Sequence, residues 1–232
     1  MGFSDSHHFR RMVAGCCMVA GALCALIAGV VAPAFHTGAA KQLASVAAHQ
    51  DRFLVSTLFG MLAIALLAVA TLGLMHMLRE RMVGYGHVGG ALALVGLFAY
   101  MAQTGFMLTQ WGMVRDGVQA GDVSAVHTMT HTTAAVIPLG VLPVLSAIGF
   151  VVLAAGLWRA RVVDWWMSAA MAIGAVLIVV SGLAASTGVG IVGAALFLGG
   201  MGAIGLMVLR ESDADWEHTP EYRGFRPAMH MG

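Results

Sequence analysis

Ten histidines stand in this chain, and those that could do chemistry sit where apolar stretches begin or end. His127 and His131 are four residues apart at the head of a run, Val123 to Trp158, that holds no Asp, Glu, Lys or Arg. On a helix that spacing puts both imidazoles on one face, about 40° apart, which suits two ligands of one metal ion. His49 precedes another such run, with Asp51 beside it and His36 earlier in the same connection. His49, His127 and His131 are therefore the candidate metal site, for zinc or copper. With Asp51 added, the same set would suit a zinc-dependent membrane hydrolase that activates a bound water. The competing explanation is interfacial histidines bonded to water, lipid headgroups or loop carbonyls.

A second pair lies at the other ends of the apolar runs. His76 closes one run and His87 opens the next, so a hairpin could bring both to one depth as cofactor ligands. Paired with the outer histidines, they would hold two b-type haems that pass electrons across a bilayer. Copper is a further candidate, because thioether and imidazole both suit Cu(I). Methionine occurs 17 times, and the order Met-His-Met occurs at Met75–Met77 and again at Met229–Met231. Met101, Met107, Met113 and Met129 cluster in the outer half, on the side of His127 and His131. Methionine is also an adaptable apolar packing residue, which explains the same count without a metal. No serine elbow, Cys-His pair, phosphate loop or dinucleotide fingerprint is present.

These residues need elements to position them, and composition says which. The chain is 59% hydrophobic and only 10% charged, with a mean hydropathy of +0.87. A soluble domain is about one quarter charged, so this composition points to a polytopic membrane protein. The net charge of +1 supplies no field for nucleic acid. A span needs roughly 20 apolar residues. Charge-free runs predict six spanning helices at about 12–32, 53–78, 84–110, 127–158, 165–185 and 190–209, followed by a tail at 210–232. The expected fold class is all-α, a polytopic six-transmembrane-helix bundle.

Arg10, Arg11, Arg79, Arg81, Arg159, Arg161, Arg210, Arg223 and Arg226 fall on one side, against Lys41, Arg52 and Arg115 on the other, nine to three. By the positive-inside rule both termini are expected on the cytoplasmic side of a bacterial cytoplasmic membrane. His49, His127 and His131 then lie outside. The first apolar run is expected to be retained. Val13 to Cys16 resembles a lipoprotein cleavage box but precedes that run, and the run is too long for a secretory signal at Ala32–Ala34. Three cysteines within one helix do not suggest a disulfide framework.

Several finer expectations follow. Residues 1–11 read as a polar leader. Lys41 to Arg52 is expected to form a short interfacial helix. Tyr100, Gln103, Met107 and Gln110 recur at three and four residues, so they share a face toward protein or a wet cavity. Pro138 and Pro143 invite kinks, with Thr132, Thr133 and Ser146 placed to bond the freed carbonyls. Gly86/Gly90, Gly182/Ser186, Gly190/Ala194 and Gly199/Ala203 are small pairs at spacing four, which let helices approach. The tail carries Glu211, Asp213, Asp215, Glu217 and Glu221 with Trp216, Tyr222 and Phe225, and is a candidate docking segment.

A histidine before the second span, an arginine-rich turn at Arg79 to Arg81 and a glycine-rich third span together resemble uncharacterised small multi-pass integral membrane proteins of GC-rich bacteria. That resemblance implies six helices and transfers no functional residue. In plan the chain also looks like membrane cytochromes of the b561 type, which have six helices and four ligand histidines. In those proteins the histidines sit deeper and on other helices. The expected role is a non-catalytic membrane component or accessory subunit, meeting the lipid bilayer and other subunits through its Gly/Ala-rich faces and tail. The alternative is a membrane redox protein holding haem b or copper, or a zinc hydrolase.

Overall fold

Lipid offers no partner for a bare amide, so a charge-free run crossing it must satisfy its own backbone as a helix. The computed structural model describes residues 3–34, 38–115, 117–212 and 216. Among these residues there is no strand. The helices are α1 (Phe3–Val31), α2 (Ala39–Ala48), α3 (Gln50–Leu78), α4 (Val83–Arg115), α5 (Ala120–His131), α6 (Thr133–Arg159), α7 (Trp165–Leu183) and α8 (Thr187–Arg210). Six of them, α1, α3, α4, α6, α7 and α8, are long and apolar enough to cross a bilayer. The chain is thus an all-α, multi-pass membrane protein.

The spanning helices form a ring in chain order. Each packs on the next, and α8 closes the ring against α1. Arg11 on α1 secures that closure. It is 6% exposed. Its guanidinium donates to the carbonyls of Val208 at 3.2 Å and Leu209 at 3.0 Å, and to that of Glu211. A cation on the C-terminal carbonyls of a helix also opposes the negative end of its dipole. Arg81 does the same for α6, donating to the Ala160 carbonyl at 3.0 Å. On the opposite face Arg52 donates to the Val31 carbonyl of α1 at 3.3 Å.

Glycine sets how closely neighbours approach. A β-carbon on Gly149 of α6 would lie 2.6 Å from the Ala93 α-carbon and from the Gly89 carbonyl oxygen of α4. On Gly174 of α7 it would lie 2.7 Å from the Gly193 carbonyl oxygen of α8, and on Gly205 of α8, 2.9 Å from that of Gly15 on α1. The glycines of these seams recur at spacing seven (Gly89/Gly96, Gly149/Gly156, Gly193/Gly200), the repeat of a left-handed helix pair. Spacing four is the weaker guide. Gly86 and Gly90 do meet α3 at Leu78 and Met75, and Gly190 meets Ser181, but Gly182 and Gly199 have nothing within 4 Å.

Three helix boundaries differ from expectation. The leader is helical from Phe3, continuous with α1. The third span runs to Arg115 rather than stopping near 110, because its last turns have something to pack on. Val114 is buried against Leu43, Val46, Phe53 and Val126, with Trp111 and Met113 beside them. That cluster joins α2 and α5 into a small cap over the end of α4. Most importantly, residues 127–158 are not one helix. The backbone turns extended at Thr132 (φ −76°, ψ 131°), so His127 and His131 belong to α5 in the cap and not to the span α6. The short helix expected between Lys41 and Arg52 is present as α2, with Leu43 and Val46 buried.

The seam geometry yields a direct test. Gly149→Val is expected to destabilise the fold by about 1–3 kcal/mol through overpacking, whereas Gly199→Val should stay within about 0.5 kcal/mol. Melting of the purified protein in detergent reads both, and equal losses would remove the seam from this account.

Candidate functional site

The ring is filled in one half and hollow in the other. Next to the arginine-rich face the centre is packed by Met18, Leu74, Leu78, Leu153, Leu157, Met171, Met201, Ile204 and Val208. Toward the face that carries the α2–α5 cap lies a chamber of about 480 Å³, walled by residues from all six spanning helices. It reaches the α7–α8 turn at Ser186 and Thr187. The reason for the hollow lies in α6. Pro138 and Pro143 each remove a backbone donor, and the helix widens into a π turn over Ile137–Val141. No residue from Thr133 to Leu142 is buried, so this arm leaves the ring incompletely filled. The Ser146 hydroxyl donates to the Pro143 carbonyl at 2.7 Å, a carbonyl that also accepts the Ser146 amide at 3.0 Å.

Among the described residues, no Asp, Glu, Lys, Arg or His lines the chamber. Its polar groups are hydroxyls, an amide and a phenol. Most hydroxyls are already donating to backbone: Thr57 to Phe53, Thr104 to Met101, Ser181 to Ile178, and Ser56 across to Ala28 of α1 at 2.8 Å. The Tyr100 hydroxyl and the Gln103 amide hydrogen-bond to no described residue, which leaves them for a ligand. Tyr100, Gln103 and Met107 thus share a cavity wall, as their spacing predicts. Gln110 does not join them. It is 6% exposed, and its Oε1 has no partner among the described residues.

The histidines divide into unlike settings. His127 and His131 contact one another on α5 with tilted rings, centroids 4.3 Å apart at 38°, and both are exposed. α5 is held in place because Val126 is buried in the cap, and it is started by a capping box in which the Asp122 Oδ2 accepts from the Gln119 amide at 2.8 Å. His49 is at the joint between α2 and α3, exposed, with Nδ1 donating to the Ser45 carbonyl at 3.2 Å. It stands apart from the pair: no three His, Cys, Asp or Glu side chains gather into a metal-binding set among the described residues. His36 lies outside the described residues.

His76 is half-buried and stacked on the Trp216 indole, centroids 4.8 Å apart and planes 22° apart. The Arg79 guanidinium lies 2.9 Å from its Nδ1 and 2.7 Å from its Nε2, and Nε2 is 3.4 Å from the Trp216 carbonyl. His87 is exposed at the head of α4 and donates from Nδ1 to the Val83 carbonyl at 2.9 Å. Of the tail, Trp216 is 7% exposed and packs into the core of this same chain. Met229–Met231 and the acidic positions beyond Ser212 lie outside the described residues.

Spacing located the Tyr100 wall but not the rest of the chamber. Ser56, Thr57, Gly60, Ser181 and Thr187 are single small or hydroxyl residues in apolar runs, and nothing in their order says that they face one space. Comparison with protein families, curated proteins and solved structures gives no match to this chain.

Solvent access tests the chamber. With Cys16, Cys17 and Cys24 replaced by alanine, Gln103→Cys and Ser186→Cys should react with a water-soluble maleimide, while Thr71→Cys, in the packed half, should not. Equal protection of all three positions would mean that water does not reach the space.

Proposed function

We propose that this chain is a non-catalytic component of the bacterial cytoplasmic membrane that holds a neutral, amphipathic small molecule between its six helices, with both termini on the cytoplasmic side. The observation that carries this reading is the chamber: about 480 Å³ of space with no acid, lysine, arginine or histidine among its described wall residues and with two polar side chains free. That volume is within the usual range for small-molecule sites. The ligand must be uncharged, because an unpaired ion in such a space would forfeit several kcal/mol of solvation. Its apolar body fits the walls made by Ile64, Leu67, Leu97, Phe150 and Phe197, and a carbonyl or hydroxyl on it fits Tyr100 and Gln103. Small-residue faces, which suggested an accessory-subunit role, are largely engaged inside the ring, so the proposal rests on the chamber instead. The nine-to-three arginine asymmetry supports the sidedness.

Solvent extraction of the purified protein followed by mass spectrometry should recover one neutral lipid-like compound per chain. Gly60 lines the chamber with only Thr104 near it, so Gly60→Trp should fill the space and abolish recovery without unfolding the ring. Tyr100→Phe and Gln103→Leu should each weaken binding of a neutral dye such as Nile red about fivefold, the worth of one hydrogen bond. Equal recovery from the original chain and from Gly60→Trp would end this proposal.

The contact of His127 with His131 favours a second reading, a two-imidazole site for Zn2+ or Cu2+ completed by water. Elemental analysis after dialysis against copper should then find one metal ion per chain at this site. His127→Ala and His131→Ala should each lose it, and His49→Ala should keep it. Retention in both alanine variants of the pair would exclude it.

A further inference from the structure

A depression of about 680 Å³ opens at the arginine-rich face, far from the chamber. Its walls are Trp158, Arg159, Arg161, Val162, Val163, Asp164, Trp165 and, from α8, Met207. Here α6 ends in a Schellman turn: the Arg161 amide donates to the Trp158 carbonyl at 3.0 Å and the Val162 amide to that of Leu157 at 3.2 Å. The residue after the cap in such a turn takes the left-handed conformation and is usually glycine. In this chain it is Arg161, at φ +52°. A side chain there carries a conformational penalty that glycine would avoid, and a penalty of that kind invites a functional explanation.

The neighbouring cations each have a partner, Arg159 with N–H donors to spare, and Arg161 has none among the described residues. Arg81 caps the Ala160 carbonyl. Arg159 donates to the Tyr85 hydroxyl and lies over the Tyr85 ring. Arg161 is exposed and pairs with no described residue. The first turn of α7 faces the same place, and its leading amides have no acceptor within the helix. Among the described residues Asp164 is the single acid in the wall, is not paired with either arginine, and does not cap α7 with its side chain. Around the rim Trp158, Trp165 and Trp166 are exposed, Trp165 by 70%. Exposed tryptophans at a helix end mark headgroup depth.

We propose that this depression binds the phosphate of an anionic phospholipid, held by Arg161 and Arg159 and by the first amides of α7, with Trp158 and Trp165 at the level of the lipid glycerol. Two cations against one carboxylate leave the wall singly positive, which matches one phosphodiester. The left-handed turn aims Arg161 out of the helix end, away from the carbonyls that arginines elsewhere in this fold cap. A membrane lipid fits better than free phosphate, because the rim is aromatic and lies where acyl chains begin.

The test places the purified chain in nanodiscs of phosphatidylcholine, with and without phosphatidylglycerol, and counts retained lipid by native mass spectrometry. The original chain should retain phosphatidylglycerol preferentially and melt at higher temperature when it is present. Arg161→Gly should cut that preference about fivefold, the effect of one interfacial cation, and yet melt a few degrees higher in phosphatidylcholine alone, because the turn is relieved. Asp164→Asn should strengthen the preference. Undiminished preference in Arg161→Gly overturns the proposal. So does an equal loss in Arg10→Gln or Arg210→Gln, which would point to diffuse surface charge, or an equal stabilisation by inorganic phosphate, which would point to a free-anion site.

Discussion

The last four carbonyls of a helix have no partner within it, and those packed against a neighbouring helix are out of water's reach. This fold meets that demand with guanidinium groups taken from a different helix. Arg11 of α1 reaches the end of α8, Arg81 of the α3–α4 turn reaches the end of α6, and Arg52 of α3 reaches the end of α1. Each cap therefore satisfies a backbone and also fixes a neighbour. Arg11 joins the two ends of the chain's order, so the ring closes through a contact between residues nearly two hundred positions apart. Without it α8 would end on carbonyls buried against α1.

Once closed, the ring divides by side-chain size. Where glycine faces glycine, between α4 and α6, α7 and α8, and α8 and α1, backbones touch and the interior fills with leucine and methionine. Helices in lipid gain no hydrophobic free energy from meeting, so close van der Waals contact has to hold them. Beyond these seams α6 carries its two prolines, widens into a π turn and stops contributing buried residues. The chamber is the consequence. Most of its hydroxyls are tied to helix carbonyls, Thr57 and Thr104 to their own helix and Ser56 to its neighbour, and Tyr100 and Gln103 are left facing an uncharged space.

The ionisable groups are correspondingly pushed to the two faces. On one, His127 and His131 are presented on a helix whose other side is buried in the α2–α5 cap. On the other, His76 is held between Trp216 and Arg79 and takes part in packing Trp216. Similar placement at helix ends has led to different surroundings, and those surroundings decide what each imidazole is free to bind.

Residue order by itself determined the solvent, the number of spans, the short helix α2 and the shared wall of Tyr100, Gln103 and Met107. All of these follow from charge exclusion and helical period, which act along the chain. Tertiary structure alone decided the rest. Thr132 turns extended and parts the His127–His131 helix from α6, although no charge, glycine or proline marks the break in the run. Seams form at glycines seven apart and not at Gly182 or Gly199, because a seam needs a facing partner. Gln110, on the same helical stripe, is buried outside the chamber, and scattered hydroxyls from several helices meet around one space. The physical reason is common to all: periodicity assigns a residue to a face, but only the position of the next helix says what that face will touch.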